Sequence, residues 1–205
     1  SPRAELARVL NLEESDIVLE AVTVGADFGS KSGTGDIAAA YVLAKRLGRP
    51  VRFVNTAPED LTAASPKHAI GVTMRTGVTS EGKIVAHDAR VVMNRGAYTG
   101  LNSSANGLLG GAAKAGNFYE IPNQRIEAFG VYTNRVPSGY MRAPGSPQVL
   151  FTVEAHIDLI AKEIGMDPVE FRKRNVPDCA PSGSESVVTR VLDAACDSFG
   201  WAERV

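Results

Sequence analysis

The sequence predicts an α+β fold in two layers, in which mixed β-sheets pack against helices. Residues 69–94 alternate apolar and polar side chains around a turn signal, Thr79–Gly82, which indicates a long β-hairpin. Residues Pro147–Ile164 instead place apolar side chains at helical spacing, which indicates a long helix with one buried face. A long hairpin and long helices in separate stretches of one chain are typical of the α+β class.

The composition excludes several classes of protein. The chain has 205 residues, of which 44% are hydrophobic and 22% are charged, and its net charge is -1. No basic tract stands out, and the apolar run Ile37–Ala44 is far too short to cross a bilayer, so we expect no nucleic-acid or membrane partner. The N-terminus lacks the core of a signal peptide, and Cys179 and Cys196 lack metal-type spacing. A reducing, cytoplasmic compartment is therefore expected.

The first half of the chain alternates predicted helices and strands. Amphipathic spacing predicts the helices, with Asp36 as the N-cap of the second, and clusters of β-branched residues predict the strands. The predicted elements are a helix at Pro2–Leu12, a strand at Asp16–Val24, a helix at Ile37–Leu47, a strand at Val51–Asn55, and a loop at Thr56–Lys67 with one helical turn after Pro58.

The second half continues from the hairpin with helices toward the C-terminus. The last predicted helix has Val188, Val191, Leu192 and Ala195 facing inward, with Trp201 capping it. The predicted elements are hairpin strands at Ala69–Gly77 and Lys83–Asn94, a strand at Arg125–Asn134, helices at Pro147–Ile164 and from Asp167, a linker at Pro177–Ser184, and a helix at Glu185–Phe199.

A glycine-rich segment, Gly25–Gly35, joins a predicted strand to a predicted helix. Its four glycines let the backbone pass close to a ligand, and a strand, a glycine loop and a helix are the setting of a phosphate cradle. The string Gly25–Ser32 is one residue short of the nucleotide P-loop pattern, with Ser30 where the second glycine belongs. No later predicted strand ends in an aspartate suited to Mg²⁺, so a nucleotide site is the weaker interpretation.

The most distinctive loop is Val136–Gln148, which holds three prolines and two glycines in thirteen residues. Proline lowers the entropy that a loop loses on ordering, so this loop is expected to be stiff. It carries one guanidinium, Arg142, and one carboxamide, Gln148, and it ends at the start of a helix. Such a loop can present N–H groups and an arginine to an anion or an oxo group, although a purely structural connector is the alternative.

Other polar residues are expected to be structural. His68 stands alone at the start of a strand, where a histidine is usually a hydrogen-bonded structural residue. Glu154, His156 and Asp158 follow each other at steps of two in a helix, so they cannot share one face. We therefore expect these three side chains to be solvated or locally paired and to form no metal site.

Three motifs occur in order along the chain. They are Gly25-Ala26-Asp27-Phe28-Gly29-Ser30-Lys31, then Gly48-Arg49-Pro50-Val51, then Tyr132-Thr133-Asn134 running through Arg142 and Pro147-Gln148 to Asp167-Pro168-Val169-Glu170-Phe171-Arg172-Lys173-Arg174-Asn175. Each motif is weak by itself, but the ordered set covers nearly the whole chain. It resembles the molybdenum-cofactor-binding large subunit of the xanthine dehydrogenase/aldehyde oxidase family.

The resemblance implies that the intact protein binds molybdopterin and hydroxylates an aldehyde or an aromatic N-heterocycle with oxygen from water. Electrons would pass to iron–sulfur and flavin subunits or domains. The pterin rather than protein side chains would hold the metal, so no protein metal ligand is expected. The Phe28–Gly29 backbone would approach an oxo or sulfido ligand of the metal. The implied cofactor-binding residues are Gly25, Phe28, Gly29, Arg142, Ala143 and Gln148.

The chain departs from the family pattern at several positions. Ala26 and Ser30 replace two glycines of the first loop, and Ser32 stands where purine-oxidising members have a glutamate. Gly110 and Pro144 replace their purine-binding arginine and their stacking aromatic residue. We therefore expect that xanthine is not the substrate. The loop also lacks the cysteine of the carbon monoxide dehydrogenases.

The family's general base, a glutamate, lies far downstream of the matching region, so no catalytic residue is expected within these 205 residues. Residues 1–176 are expected to form the first lobe of the cofactor-binding domain, and residues 177–205 a linker and an amphipathic helix. The polypeptide alone is expected to lack cofactor and turnover. In the intact protein it would contact the remainder of a large subunit. Alone, it is expected to form a homo-oligomer through the surface that this remainder would cover. A non-catalytic interaction module of the same family, with the small-residue stretch Asn102–Asn117 as its seam, is the alternative.

Overall fold

The computed structural model describes residues 1–29, 35–98, 110–116, 118–177 and 186–203. These residues form a three-stranded sheet and several helices, which confirms the predicted α+β class. The chain divides into two compact units, and each unit is built from three separate stretches of the sequence. The first unit comprises Ser1–Ala69, Asn94–Ala105 and Val131–Pro144, and the second comprises Ile70–Met93, Asn106–Gly130 and Gly145–Val205.

The first unit contains three helices: α1 (Pro2–Leu10), α2 (Gly35–Leu47) and α3 (Ala57–Ala63). The Ser1 hydroxyl accepts a hydrogen bond from the backbone N–H of Ala4 and caps α1, and Asn11 ends that helix in the left-handed conformation. Leu6 is buried in α1, which packs against α2. The first two predicted helices are therefore confirmed within two residues at each end.

The two strands predicted in this unit, Asp16–Val24 and Val51–Asn55, are wrong. Glu14–Asp16 forms a 3₁₀ turn, and neither segment pairs as a strand within the described residues. Val18 in the first segment remains 80% exposed. β-branched residues stabilise a strand chiefly through packing on paired neighbours, so composition alone did not decide these segments.

Helix α3 replaces most of the predicted loop at Thr56–Lys67. A capping box holds its start: the Thr56 N–H donates to Glu59 Oε2 at 2.7 Å, and the Glu59 N–H donates to Thr56 Oγ1 at 3.5 Å. The Thr-x-x-Glu spacing that produces this box was visible in the sequence.

The sheet contains β1 (Ile70–Val78), β2 (Ile84–Gly96) and β3 (Gln124–Tyr132), in that spatial order. The hairpin prediction is confirmed, since β1 and β2 pair antiparallel with Thr76 opposite His87. The pairing of β2 with β3 is parallel: the His87 N–H donates to the Asn123 carbonyl, and the Thr133 N–H donates to the Gly96 carbonyl, each at 2.9 Å. The sheet is therefore mixed, as predicted.

The core of the second unit lies between this sheet and helix α4 (Ser146–Glu163). The predicted apolar face of α4 is confirmed at its centre, where the buried residues are Val149, Val153, Ile157 and Ala161. Helix α5 (Pro168–Asn175) adds the fully buried Phe171. Ala112 and Ala115 of a short 3₁₀ helix are buried beside α4, so this part of the small-residue stretch is interior rather than an exposed seam.

Helix α6 (Val187–Phe199) forms as predicted, and Leu192 of its predicted inward face is half-buried, but the other three predicted inward positions are wrong. Val188, Val191 and Ala195 are exposed, because the helix faces α5 with its other side, where Asp193 pairs with Lys173. Gly200, in the left-handed conformation, ends the helix, and the indole N–H of Trp201 donates to Asp167 at 2.9 Å.

Two further predictions concern residues outside the described part of the chain. Most of the predicted linker, including Cys179, lies there, as do residues 102–109 of the small-residue stretch. Among the described helices, none has both the length and the hydropathy that a membrane crossing requires.

Candidate functional site

The described part of the glycine-rich loop, Gly25–Gly29, ends in two consecutive left-handed residues. Phe28 has φ 54° and Gly29 has φ 96°, and the Gly29 N–H donates to the Asp27 carboxylate at 3.1 Å. A left-handed phenylalanine costs about 1–2 kcal/mol, and such strain is concentrated at ligand sites. Phe28 is 59% exposed, so burial of its ring does not explain the strain. Ser30, Lys31 and Ser32 of the motif lie outside the described residues.

The start of the proline-rich loop is fixed by backbone contacts within the first unit. The Gly139 N–H donates to the Pro66 carbonyl at 2.9 Å, and the Ser138 N–H donates to the Arg95 carbonyl at 3.2 Å. Gly96, with φ 77°, lies so close that a Cβ there would stand 2.4 Å from Pro137 Cα. This approach is possible only for glycine.

The tip of the same loop points outward. Ala143 is left-handed with φ 57°, and both Arg142 and Ala143 are exposed. Among the described residues, no carboxylate forms an ion pair with the Arg142 guanidinium. The loop therefore holds a positive charge at its tip on a strained but anchored backbone.

The two loops meet within the first unit. A Cβ built on Gly29 would lie 3.1 Å from Tyr140 Cβ and 3.6 Å from the Tyr140 backbone. Tyr140 precedes Arg142 by two residues, so the glycine-rich and proline-rich loops are in direct contact near the predicted site. Both the positive φ and the close approach require glycine at position 29.

The other predicted site residues are not brought to this contact. A Cβ on Gly25 would meet no atom within 4 Å, so no neighbour in the described structure requires glycine there. Gln148 lies in the first turn of α4, half-buried, and belongs to the second unit. The roles of all six predicted residues remain predictions.

Sequence reasoning did not predict that His68 and Arg95 lie near each other behind the proline-rich loop. His68 is nearly fully buried, and its pKa is lowered by burial and, second, by the positive charge of Arg95. The Arg95 guanidinium lies 5.7 Å from the centre of the Tyr132 ring. His68 therefore lies buried near Arg95, whose carbonyl accepts from the Ser138 N–H of the loop, and its structural role stays a prediction.

The acidic residues of α4 are locally paired, as predicted. Arg172 donates to Glu154 at 2.9 Å and to Asp158 at 2.7 Å, and the Tyr119 hydroxyl donates to Glu154 at 2.9 Å. No group of three or more potential metal ligands occurs among the described residues. The network joins α4 to α5.

Two histidines of the second unit are bridged by one hydroxyl. Thr76 Oγ1 lies 2.9 Å from His87 Nδ1 and 2.9 Å from His156 Nε2. Burial is the main cause that lowers the pKa of each histidine, and the nearby His156 lowers that of His87 further. If the threonine hydroxyl donates to one ring and accepts from the other, the ring that accepts must be neutral, because a protonated imidazole has only N–H donors.

A family model described as "Molybdopterin cofactor-binding domain" matches residues 1–176 of this sequence. The chain belongs to this family. The resemblance inferred from the ordered motifs is thus confirmed.

Curated relatives of the molybdopterin cofactor-binding family agree with this assignment. A probable xanthine dehydrogenase subunit of Bacillus subtilis is 33% identical over 85% of this chain and 23% of its own length. The nicotinate dehydrogenase large molybdopterin subunit of Eubacterium barkeri is 30% identical over 84% of this chain and 40% of its own length. The chain therefore spans less than half the length of these relatives.

Solved structures of the same fold include quinoline 2-oxidoreductase from Pseudomonas putida 86, with a TM-score of 0.85 and 23% identity. The aldehyde oxidoreductase from Desulfovibrio gigas has a TM-score of 0.83 and 24% identity. Each comparison covers 98% of this chain, but only 27% and 22% of the solved chains. At such identities the likeness establishes the fold, which agrees with the α+β architecture described above.

Proposed function

We propose that the two converging loops of the first unit bind the molybdopterin cofactor within the large subunit of a molybdenum hydroxylase. The observation that carries this proposal is the contact of Gly29 with Tyr140, which joins the glycine-rich loop to the loop that bears Arg142. The family match makes a molybdopterin ligand the chemically reasonable occupant.

The chemistry of these loops fits the cofactor. An oxo or sulfido group and a pterin phosphate are anionic or strongly polar, and they favour backbone N–H donors and a guanidinium. Phe28 and Gly29 hold the backbone in the left-handed conformation at this point, and Arg142 adds a charge that no described carboxylate neutralises. Ala143 would offer further backbone beside the arginine.

The bound cofactor would supply the oxidation, in which oxygen from water is added to the substrate carbon and two electrons leave toward the partner chains. The residues of this chain would bind and orient the cofactor. Arg142 would stabilise negative charge, and the Phe28–Gly29 backbone would approach the metal's oxo or sulfido ligand. Gly25 and Gln148 are proposed as additional contacts.

The names of relatives suggest a class of substrate. Nicotinate and quinoline, named for two of them, are aromatic N-heterocycles, and other relatives are named for aldehydes. We therefore propose an aldehyde or an N-heterocycle as the substrate of the complete enzyme, with iron–sulfur and flavin partners in a cytoplasmic complex. Residues 1–176 would be the first lobe of the cofactor domain, and the general base would lie outside these 205 residues.

The proposal is tested in a large subunit that contains this sequence. Gly29→Val is compared with Gly71→Val, which places a Cβ in open space, and Arg142→Ala with Arg46→Ala on the exposed side of α2. Molybdenum is measured by mass spectrometry, and bound pterin by the fluorescence of its oxidised form. We expect both to fall at least about tenfold in the Gly29 variant, because its side chain would displace Tyr140, and severalfold in the Arg142 variant.

If both site variants retain as much molybdenum and pterin as their two controls, the loops do not hold the cofactor. Near-native circular dichroism of each variant separates loss of binding from loss of fold. The 205-residue chain alone should contain little molybdenum and show no hydroxylase activity. Stoichiometric metal with turnover would contradict the proposed dependence on a larger subunit.

A further inference from the structure

Helix α6 carries an exposed apolar surface. No residue of the helix is buried, and Val191 and Phe199 are 62% and 54% exposed. We define the α6 face as the exposed residues Val187, Val188, Val191, Ala194, Ala195 and Phe199. At about 100° of rotation per residue, these positions fall on one side of the helix. Single exposed apolar residues are ordinary, but a contiguous face marks an interaction surface.

The opposite side of α6 is attached to the second unit. Thr189, Leu192 and Cys196 are half-buried, and Asp193 forms an ion pair with Lys173 of α5. The indole of Trp201, just past the helix, donates to Asp167. These contacts fix which side of the helix faces outward.

Two charged residues on one flank of the α6 face indicate which partner binds there. Arg190 and Asp197 are seven residues apart, which is two turns or about 10 Å along a helix. A shallow depression that contains both is also lined by Val187, Val191 and Ala194, and by Asp193, whose charge is paired with Lys173. Among the described residues, neither charge forms an ion pair.

We propose that the α6 face binds the α6 face of a second copy of this chain, with the two helices antiparallel. A two-fold axis that passes midway between positions 193 and 194 brings Arg190 of each copy opposite Asp197 of the other. Both residues lie on the same flank, and a two-fold of this kind apposes like flanks, so two ion pairs form at once. Charge pattern thus favours a second copy over an arbitrary apolar partner.

The sizes of the side chains agree with the same axis. Ala194 and Ala195 lie near the crossing point, where small residues permit close approach of two helices. The axis also brings Val188 of each copy opposite Phe199 of the other, so bulky side chains pack at both ends of the contact.

The size of the face sets the strength of the association. Its exposed area is roughly 400–500 Å² per copy, below the approximately 800 Å² per partner of a stable interface. We therefore expect a weak dimer whose population changes with concentration.

The test measures the mass of the 205-residue chain by sedimentation equilibrium over roughly a hundredfold range of concentration. Arg190→Asp and Asp197→Arg should each raise the dissociation constant at least about tenfold, because each apposes like charges twice. The double variant Arg190→Asp/Asp197→Arg restores opposite charges and should return within about threefold of wild type. Val191→Glu should abolish the dimer. Arg46→Asp, on an exposed position of α2, is the matched control and should have no effect.

The proposed pairing of Arg190 with Asp197 is wrong if the chain still forms the dimer in both single charge-reversal variants. It is also wrong if the double variant does not restore the dimer. A wild-type chain that stays monomeric throughout also overturns it. If such a monomer shows amide protection of α6 only within a longer large subunit, the face belongs to that subunit instead. Circular dichroism of each variant identifies any loss of helix.

Discussion

Replacing Asn175 with aspartate should destabilise the second unit by about 3–5 kcal/mol at pH 7. Asn175 is 1% exposed and joins the end of α5 to the hairpin. Its Oδ1 accepts from the Ile84 N–H at 2.8 Å, and its Nδ2 donates to the carbonyls of Gly82 and Phe171 at 2.7 and 2.8 Å. In the aspartate variant, a carboxylate oxygen would face both carbonyl oxygens.

The magnitude follows from these three hydrogen bonds. Two neutral bonds contribute about 1 kcal/mol each, and the unpaired buried charge adds the remainder. Asn175→Ala removes all three bonds but buries no charge, so it should cost less, about 2–3 kcal/mol. The difference in unfolding free energy between the two variants should become smaller in acid, because a protonated aspartic acid again donates a hydrogen bond to one carbonyl.

Urea unfolding followed by the fluorescence of Trp201, the chain's one tryptophan, measures these effects in the second unit. Asn123→Asp is the matched control, because the Asn123 amide donates to the Val85 carbonyl at 3.0 Å in an exposed position. That change should cost less than about 1 kcal/mol. If Asn175→Asp costs no more than Asn123→Asp, the assignment of Asn175 as a buried anchor is refuted.

Two further perturbations are predicted. Gly96→Ala combines a left-handed φ with a Cβ placed 2.4 Å from Pro137, so we expect a loss of about 2–4 kcal/mol in the first unit, measured by thermal unfolding. Acid should destabilise the second unit, because the folded-state pKa values of His87 and His156 are lowered from the ordinary histidine pKa of 6.5. Below pH 6.5 the unfolded chain therefore binds more protons than the folded chain. The free energy of unfolding is full above that pH and falls as the pH drops below it. Replacing both histidines with glutamine should flatten the pH dependence of the unfolding free energy below about 6.5, followed by Trp201 fluorescence, and an unchanged slope would contradict the lowered pKa values of these buried histidines.

The sequence predicted best those elements whose pattern reflects burial within the second unit. The hairpin and α4 have strict periodicities, and the structure buries the centre of the predicted helical face, including Val153 and Ile157. The segments Asp16–Val24 and Val51–Asn55 failed because strand formation depends on a paired neighbour, which local composition does not reveal. The predicted inward positions Val188, Val191 and Ala195 of α6 failed for a related reason. Helical periodicity shows that a face is apolar but not that this chain covers it.

The sequence predicted the two loops of the candidate site but not their conformations. Glycine and proline content identified both loops, whereas the left-handed conformations of Phe28 and Ala143 have no sequence signal, because neither residue type favours positive φ. The anchoring of the proline-rich loop to Pro66 and Arg95 also depends on contacts between distant segments. Sequence therefore locates the two loops, and long-range contacts determine their shape.

Comparison of three glycines shows why a motif alone does not assign roles within this site. Gly25 opens the family motif, yet a side chain there would meet nothing within 4 Å. Gly29 is required by its φ and by Tyr140, and Gly96, outside all three motifs, is required more strictly by Pro137. The open space beside Gly25 leaves room for a ligand, whereas Gly96 serves the loop that would hold the ligand. Substitution at Gly25 should therefore lower bound pterin before it lowers the temperature of unfolding, and substitution at Gly96 should do the reverse.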